Sequence, residues 1–292
     1  MPNTQEFRRR IKSINNTKQI TAAMEMVASV KMQKAHKNIM AGRTYVQDTW
    51  NMLVKLAQMT LPEEHPLLQP HDVEKIAVIL VASDRGLCGA FNADVFRKFL
   101  KFRKENQSEC DVIAIGKKSA EFIKISKSAN LIAEFTGFEN NVLYEDIIPI
   151  SLMSNGEYLK GNYSKVMLIY SHFESSLRQI PVVKQILPIQ SDHIDNSEVW
   201  QKTTEEEIEY KFEPSPDIVL ESLLPRFIRM QIYGAILESN ASEHSARMMA
   251  MKNATDNAGD LINDLTLLYN TIRQNSITSE IAEISAAAEA MK

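Results

Sequence analysis

The chain has 292 residues, and its 44% hydrophobic and 24% charged residues are typical of a folded protein rather than a disordered or membrane-spanning one. The longest apolar run, residues 76–82, is far shorter than the roughly 20 residues of a transmembrane helix, and two cysteines cannot build a disulfide framework. The net charge of −4 is unevenly distributed, because residues 1–60 carry 10 basic and 3 acidic side chains while residues 61–292 are acidic.

Glycine and proline are scarce, with 9 and 10 residues respectively, and they leave two long blocks without proline. These blocks run from Asn3 to Leu61 and from Arg226 to Lys292. Continuous helices there would be about 88 and 100 Å long. A compact protein of this size has a diameter of about 50 Å. The helices therefore either break or extend beyond a globular body.

The first block, residues 1–61, is predicted to be one helix with Thr4 as a plausible N-cap. Its apolar residues recur every three or four positions, which indicates a seam for a partner helix. The seam residues are Phe7, Ile11, Ile14, Met24, Val27, Val46, Trp50, Leu53 and Ala57. The spacing is imperfect around Lys18 and Lys31, so an irregular coiled coil is expected. Three prolines then mark a linker over residues 62–74.

Residues 75–190 alternate between strand and helix patterns, which indicates a Rossmann-like α/β domain with a mainly parallel sheet. Strands are predicted at residues 76–82, 111–115, 131–135, 166–170 and 179–187. Helices are predicted at residues 93–104 and 117–126, and at 142–159 with an interruption at Pro149. A second polar linker follows over residues 191–216.

Residues 217–292 are predicted to form the second long helix, with Pro225 in or near its first turns. Its seam contains Ile262, Leu265, Tyr269, Ile272, Ile277, Ile281, Ile284 and Ala288. Two apolar seams at opposite ends of one chain most simply pair with each other. The α/β domain joins the end of one helix to the start of the other, so the pair would be antiparallel. The predicted fold class is therefore α/β, with an α/β domain inserted between the helices of a long antiparallel coiled coil.

The turn at residues 83–89 is the most enzyme-like segment, because Gly86 and Gly89 follow a predicted strand and precede a helix. Cys88 would be its nucleophile, which leaves open an α/β enzyme with oligomerising helices. However, no phosphate-loop or dinucleotide fingerprint is present, and the six histidines define no metal set. A structural turn is the favoured interpretation. A basic-helix nucleic-acid binder is a weaker alternative, since few aromatic residues accompany the basic ones.

Both ends of the chain resemble the gamma subunit of the F-type ATP synthase. Residues 20–28, ITAAMEMVA, resemble the N-terminal motif of that family, and residues 247–257, RMMAMKNATDN, resemble its long C-terminal motif. Tyr269-Asn270, Arg273-Gln274 and residues 277–281 continue the C-terminal pattern, and residues 83–89, SDRGLCG, resemble the family's turn after the first strand. The resemblance covers nearly the whole chain.

The resemblance implies a central rotor shaft that couples proton flow to ATP synthesis at sites on the beta subunits. The implied partners are the alpha and beta subunits, the epsilon subunit and the membrane ring of c subunits, with no nucleic acid. The implied protein is not itself an enzyme, having no catalytic residue, cofactor or metal. Membrane association would come only through the complex, at the cytoplasmic face of a bacterial inner membrane.

The resemblance also implies five partner-contact or coupling residues. Met24 matches a position near an acidic loop of the beta subunit. Arg273, Gln274 and Thr278 match polar positions that hydrogen-bond to loops of the hexamer, and Arg247 matches a position important for coupling. The family often has a glycine pair near the tip of this helix, where this chain has Ala286 and Ala287. A slightly stiffer tip is therefore expected.

Overall fold

The computed structural model describes residues 4–59, 65–139, 142–189 and 213–291. In chain order its elements are α1 Thr4–Met59, β1 Ile76–Val81, α2 Phe91–Glu105, β2 Cys110–Ile115, α3 Lys117–Ser126, β3 Asn130–Phe135, α4 Ile148–Leu159, β4 Lys165–Phe173, β5 Gln179–Leu187 and α5 Pro216–Ala290. This order confirms the predicted fold class. The predicted linkers fall outside the described residues at 62–64 and 191–212. The domain boundaries drawn from the sequence therefore stay predictions.

The sheet has the strand order β3-β2-β1-β4-β5. β1 pairs in parallel with β2 and β4, β2 pairs in parallel with β3, and β5 runs antiparallel to β4. All six residues of β1 are buried, which explains why this central strand is apolar at every position. The turn that follows β1 lies at the carboxyl edge of the parallel strands, the edge at which such folds commonly bind ligands.

Alternate residues of β1 face two separate hydrophobic cores, as the two-residue period of a strand requires. Ile79 lies in the larger core, with Tyr158 of α4 and Ile232 of α5. Leu80 lies in the smaller core, with Phe99 of α2. All five side chains are fully buried. The α/β domain is thus a three-layer arrangement, in which α5 helps to cover one face of the sheet.

The described chain forms two compact units, one from residues 1–29 with 247–292 and one from residues 30–246. In α1, less exposed residues of the first unit recur every three or four positions at Phe7, Ile11, Ile14, Lys18, Thr21, Glu25 and Ala28, and Ala22, Met24 and Ser29 beside them are also partly buried. This pattern corrects the predicted seam in one place, because Val27 is 56% exposed and its neighbour Ala28 is 2% exposed. The seam also continues through Lys18, where the sequence indicated an interruption.

The prolines of α4 and α5 occupy different positions within their helices. The sequence predicted a helix from residue 142 to 159 that Pro149 interrupts, and this prediction was wrong. A short 3-10 turn over Tyr144–Ile147 precedes α4, and Pro149 lies in the first turn of α4. A proline is accommodated there because first-turn N–H groups have no partner within the helix. Pro225, by contrast, lies inside α5, which continues through it.

Gly116, between β2 and α3, is required by its backbone conformation. Its φ of 92° is unfavourable for other residues, and a Cβ atom added there would lie 2.1 Å from the carbonyl oxygen of Ala82. Its N–H donates to the Phe135 carbonyl at 2.8 Å. The ends of β1, β2 and β3 therefore approach one another closely at this glycine.

Candidate functional site

Three of the five predicted coupling residues lie together near the end of α5. Arg273, Gln274 and Thr278 are all exposed, and the Thr278 Oγ1 donates to the Gln274 carbonyl at 2.9 Å. This hydrogen bond orients the hydroxyl along the helix while leaving its lone pairs accessible. The group therefore presents a guanidinium, an amide and a hydroxyl to solvent within about two helical turns.

The antiparallel register within the first unit places these residues relative to α1. The Arg8 Nε donates to the Tyr269 hydroxyl at 2.7 Å, and the Arg8 guanidinium lies 5.3 Å from the centre of that ring. Further along, the Thr255 Oγ1 donates to the Thr21 Oγ1 at 2.8 Å. By this register Arg273 lies opposite Thr4, the first described residue of α1. Residues 274–290 of α5 thus extend past the described part of α1.

Met24 and Arg247 lie apart from that group. Met24 is half-buried on α1, and Arg247 is buried, with 7% exposure. Arg247 and Arg273 are separated by about 39 Å along α5. The five residues therefore form no single site, and a partner that binds all of them would have to contact α1 and α5 at separate positions along the helices.

Several apolar residues of α1 and α5 face solvent, although the sequence placed Val27 and three isoleucines of α5 in the predicted seams. On α1, Ile20, Met26 and Val27 are 56–72% exposed. On α5, Ile277, Ile281 and Ile284 are 46–70% exposed, although they continue the predicted seam. The periodicity was correct but the described part of α1 ends before it can cover them. Contiguous exposed apolar side chains of this kind are typical of an interaction surface.

The turn after β1 is closed by its own hydrogen bonds. The Asn92 Nδ2 donates to the Ser83 Oγ at 2.7 Å and to the Cys88 Sγ at 3.3 Å, and the Ser83 Oγ donates to the Arg85 carbonyl at 2.6 Å. The Asp84 carboxylate accepts the N–H groups of Lys117 at 3.0 Å and Gly137 at 2.9 Å. These bonds fix the side chains of Ser83, Asp84 and Asn92 within the domain, where they brace the turn.

The thiols of the α/β domain are poorly placed for nucleophilic chemistry. Cys88 and Cys110 are each 3% exposed. Burial raises the pKa of Cys110 to about 11, so this thiol stays protonated at neutral pH. Within the described ranges no group of three or more His, Cys, Asp and Glu side chains is arranged to hold a metal ion. The geometry favours the structural interpretation of the turn over the enzyme alternative.

Among the described helices, none is both long and apolar enough to cross a lipid bilayer. Instead, the terminal helices pair in antiparallel register, carry uncovered apolar and polar residues, and are joined in the chain by an α/β domain. These features define an α/β protein in which an α/β domain is inserted between two long, pairing terminal helices.

Comparison with known proteins identifies the family. The family model described as ATP synthase matches residues 3–291. The ATP synthase gamma chain of Herpetosiphon aurantiacus is 42% identical over 302 residues, and that of a Roseiflexus species is 41% identical over 301 residues. Each alignment spans 100% of this chain and 99% of the relative. The chain therefore belongs to the family of ATP synthase gamma chains.

Solved structures agree at the level of the fold. A chain from the mitochondrial ATP synthase of Euglena gracilis matches with a TM-score of 0.68 and 16% identity, covering 99% of this chain and 94% of that one. A chain from the central stalk and c-ring structure of the Tetrahymena thermophila enzyme matches with a TM-score of 0.61 and 22% identity, covering 80% and 99%. The fold, with long terminal helices and an inserted α/β domain, is thus shared with these chains.

Proposed function

We propose that this chain is a non-catalytic subunit that rotates inside a ring of alternating alpha and beta subunits. Its α/β domain would join the epsilon subunit and the membrane ring of c subunits. The observation that carries the proposal is the end of α5, where Ile277, Ile281 and Ile284 stay exposed beyond the described part of α1. A row of exposed apolar side chains on one helix is typical of a surface that a partner covers.

The coupling mechanism follows from differential binding. A shaft that presents different side chains at different angles binds one conformation of a beta subunit better than the others. Each angle therefore shifts the population of that subunit toward one state of its catalytic site. The shaft itself needs no catalytic group, which agrees with the closed turn after β1 and the buried thiols. Proton flow through the membrane ring would supply the rotation.

The predicted coupling residues have distinct proposed roles. Met24 would face an acidic loop of the beta subunit, and the basic charge of residues 1–60 suits that contact. Arg273, Gln274 and Thr278 would hydrogen-bond to loops of the ring at particular angles, and their exposure supports this role. The burial of Arg247 supports a role exerted through its own helix pair.

The proposed location is the cytoplasmic face of a bacterial inner membrane, held there through the complex. The bacterial relatives at 41–42% identity support this placement. Fractionation tests it directly: the chain should sediment with membranes and be released when the alpha and beta subunits are stripped at low ionic strength. A chain that stays soluble in cells containing the intact complex would contradict the placement.

The subunit composition tests the rotor role. A tagged chain should co-purify with alpha and beta subunits at one copy per three beta chains, and alone it should hydrolyse no ATP. A stable ratio of one copy to one beta chain would contradict a central shaft, because only one copy can occupy the centre of a ring that holds three beta chains. ATPase activity of the purified chain would contradict the non-catalytic role.

A further inference from the structure

The segment that follows β3, residues 136–139, is bound by several separate parts of the chain. The Gly137 N–H donates to the Asp84 carboxylate at 2.9 Å. The Phe138 carbonyl accepts a hydrogen bond from the Asn240 Nδ2 at 2.6 Å, and the Glu139 carbonyl accepts one from the His244 Nε2 at 3.2 Å. Asp84 belongs to the turn after β1, and Asn240 and His244 belong to α5. We call residues 136–139 the junction segment.

The side chain of Glu139 adds α1 to the same group. Its Oε1 lies 3.4 Å from the Lys31 Nζ of α1, and its Oε2 lies 3.3 Å from the Arg85 Nε of the turn after β1. The carboxylate is only 10% exposed, whereas the Lys31 and Arg85 side chains are 33% and 76% exposed. A carboxylate so far removed from water depends on its cations for the solvation it has lost.

Directional bonds matter here because apolar packing alone resists twisting poorly. Hydrophobic contact is non-directional, so packed faces are held together without being fixed against sliding. Hydrogen bonds and ion pairs weaken steeply when their geometry changes, so they oppose rotation of one element against another. The junction segment supplies such bonds to α1, to α5 and to the carboxyl edge of the sheet. Glu139 makes contact with all three of these parts.

We propose that Glu139 is a positioning residue for torque transfer between the α/β domain and both shaft helices. The proposal rests on the rotor function proposed above. Rotation applied to the α/β domain reaches α1 through Lys31 and α5 through the bond from His244 to the Glu139 carbonyl. Neutralising the carboxylate releases Lys31 and Arg85 together, so α1 can twist against the sheet and part of each rotation step is lost.

The test is Glu139→Gln in the complete ATP synthase, reconstituted in membrane vesicles. We expect ATP hydrolysis to continue while ATP-driven proton pumping per ATP hydrolysed falls. We also expect amide exchange in residues 136–139 to accelerate by about tenfold or more, because local opening becomes easier. Pumping is compared at matched amounts of assembled complex, so a change in stability alone does not alter the ratio.

Glu134→Gln is the matched control, because it also removes one carboxylate and one ion pair. The Glu134 Oε2 lies 2.8 Å from the Lys124 Nζ, and this pair joins β3 to α3 on the surface. We expect normal pumping per ATP in this control. The triple variant Lys31→Glu, Arg85→Glu and Glu139→Lys reverses all three charges, so it restores both ion pairs with opposite sign and should recover most of the lost pumping.

Equal pumping ratios for Glu139→Gln and Glu134→Gln would overturn the proposal. If Glu139→Gln does not assemble, Lys31→Gln carries the test, because it removes one cation and leaves the carboxylate paired with Arg85. It should lower pumping by a smaller amount, and an unchanged ratio would again overturn the proposal. Failure of the unmodified chain to join alpha and beta subunits would instead refute the rotor function itself.

Discussion

At the scale of single residues, Asp111 forms the centre of a hydrogen-bonded group at the amino ends of the parallel strands. It is 4% exposed, and it accepts hydrogen bonds from the Tyr163 hydroxyl at 2.8 Å and the Asn130 Nδ2 at 3.1 Å. The Lys75 Nζ lies 3.0 Å from the same carboxylate. Burial alone would raise the pKa of Asp111, but the hydrogen bonds from Lys75, Tyr163 and Asn130 outweigh it and hold the pKa below its usual value.

The substitution Asp111→Asn should therefore destabilise the chain in a pH-dependent way. At pH 7 we expect a loss of about 1–3 kcal/mol in the free energy of unfolding, since charge-assisted hydrogen bonds are weakened in a buried site. A depressed folded pKa contributes stability above the unfolded value of about 3.9, and this contribution is lost as the pH falls through the folded pKa. Urea unfolding from pH 7 to pH 3 should show the two chains converging at the acid end.

The exposed Asp94 provides the control for that measurement. Its Oδ1 lies 2.8 Å from the Arg97 Nη1 on the surface of α2. Asp94→Asn should change the free energy of unfolding by less than about 1 kcal/mol. A difference between wild type and Asp111→Asn that stays constant down to pH 3 would contradict the assigned role of the carboxylate.

A substitution of Cys88 tests the alternative hypothesis that the α/β domain is an enzyme with this thiol as its nucleophile. Cys88 is buried in the turn after β1 and accepts a hydrogen bond from Asn92, so we expect it to pack rather than react. Cys88→Ala should leave ATP hydrolysis and pumping of the assembled complex within about twofold of wild type, since the cavity left by one sulfur atom is small. Loss of activity in an assembled complex that is as stable as wild type would revive a catalytic role for this thiol.

At the scale of elements, the sequence predicts the α/β domain more accurately than the helix pair. Residues 117–126 and 179–187 were predicted with the observed bounds, because strand and helix periods are clear in a domain with two cores. The seam of α1 was less visible because polar and small residues occupy it. Thr21 is buried against Thr255 through a hydrogen bond, a contact that a search for apolar spacing cannot find.

The end of α5 allows a prediction about stiffness. Ala286 and Ala287 are exposed and lie beyond the described part of α1, so helix propensity has a large influence there. Replacing both with glycine costs about 0.8–1 kcal/mol for each residue. Amide exchange in residues 280–290 of the isolated chain should then accelerate by about tenfold or more.

A double variant with good helix formers is the control for the glycine pair. Ala286→Gln with Ala287→Glu changes the same two side chains but keeps the propensity close to that of alanine. Its amide exchange should stay near the wild-type rate. Similar acceleration in both variants would mean that side-chain contacts, and not backbone propensity, hold this end of the helix.

At the scale of the whole molecule, the candidate site could be predicted only in part. The family resemblance pointed to Met24, Arg247, Arg273, Gln274 and Thr278, whose roles stay predictions. Glu139 could not be found in this way, because Lys31 lies 108 residues away in the sequence and no local pattern joins them. Only the fold brings α1, the turn after β1 and α5 to one residue, whose carboxylate contacts Lys31 and Arg85 and whose carbonyl contacts His244.

A positive charge introduced on the surface of α1 should change proton pumping by the complete ATP synthase. Met24→Lys adds a cation beside the proposed acidic loop of the beta subunit, so it should tighten one rotor angle and hinder the next. We expect lower proton pumping per ATP hydrolysed in membrane vesicles. Met24→Leu, which conserves volume without charge, should behave as wild type. Normal pumping in Met24→Lys would contradict the contact proposed for this residue.

The half-buried seam between α1 and α5 affects how readily proteases degrade the chain before it joins a complex. In the described part of residues 1–29 and 247–292, the buried apolar side chains are Ala28 and Met251. So small a core leaves this unit easy to open, and an open helix pair is accessible to proteases. Binding to a partner would close it by mass action. We therefore expect cells to degrade unassembled copies first from this unit, so that the amount of the chain follows the supply of its partners.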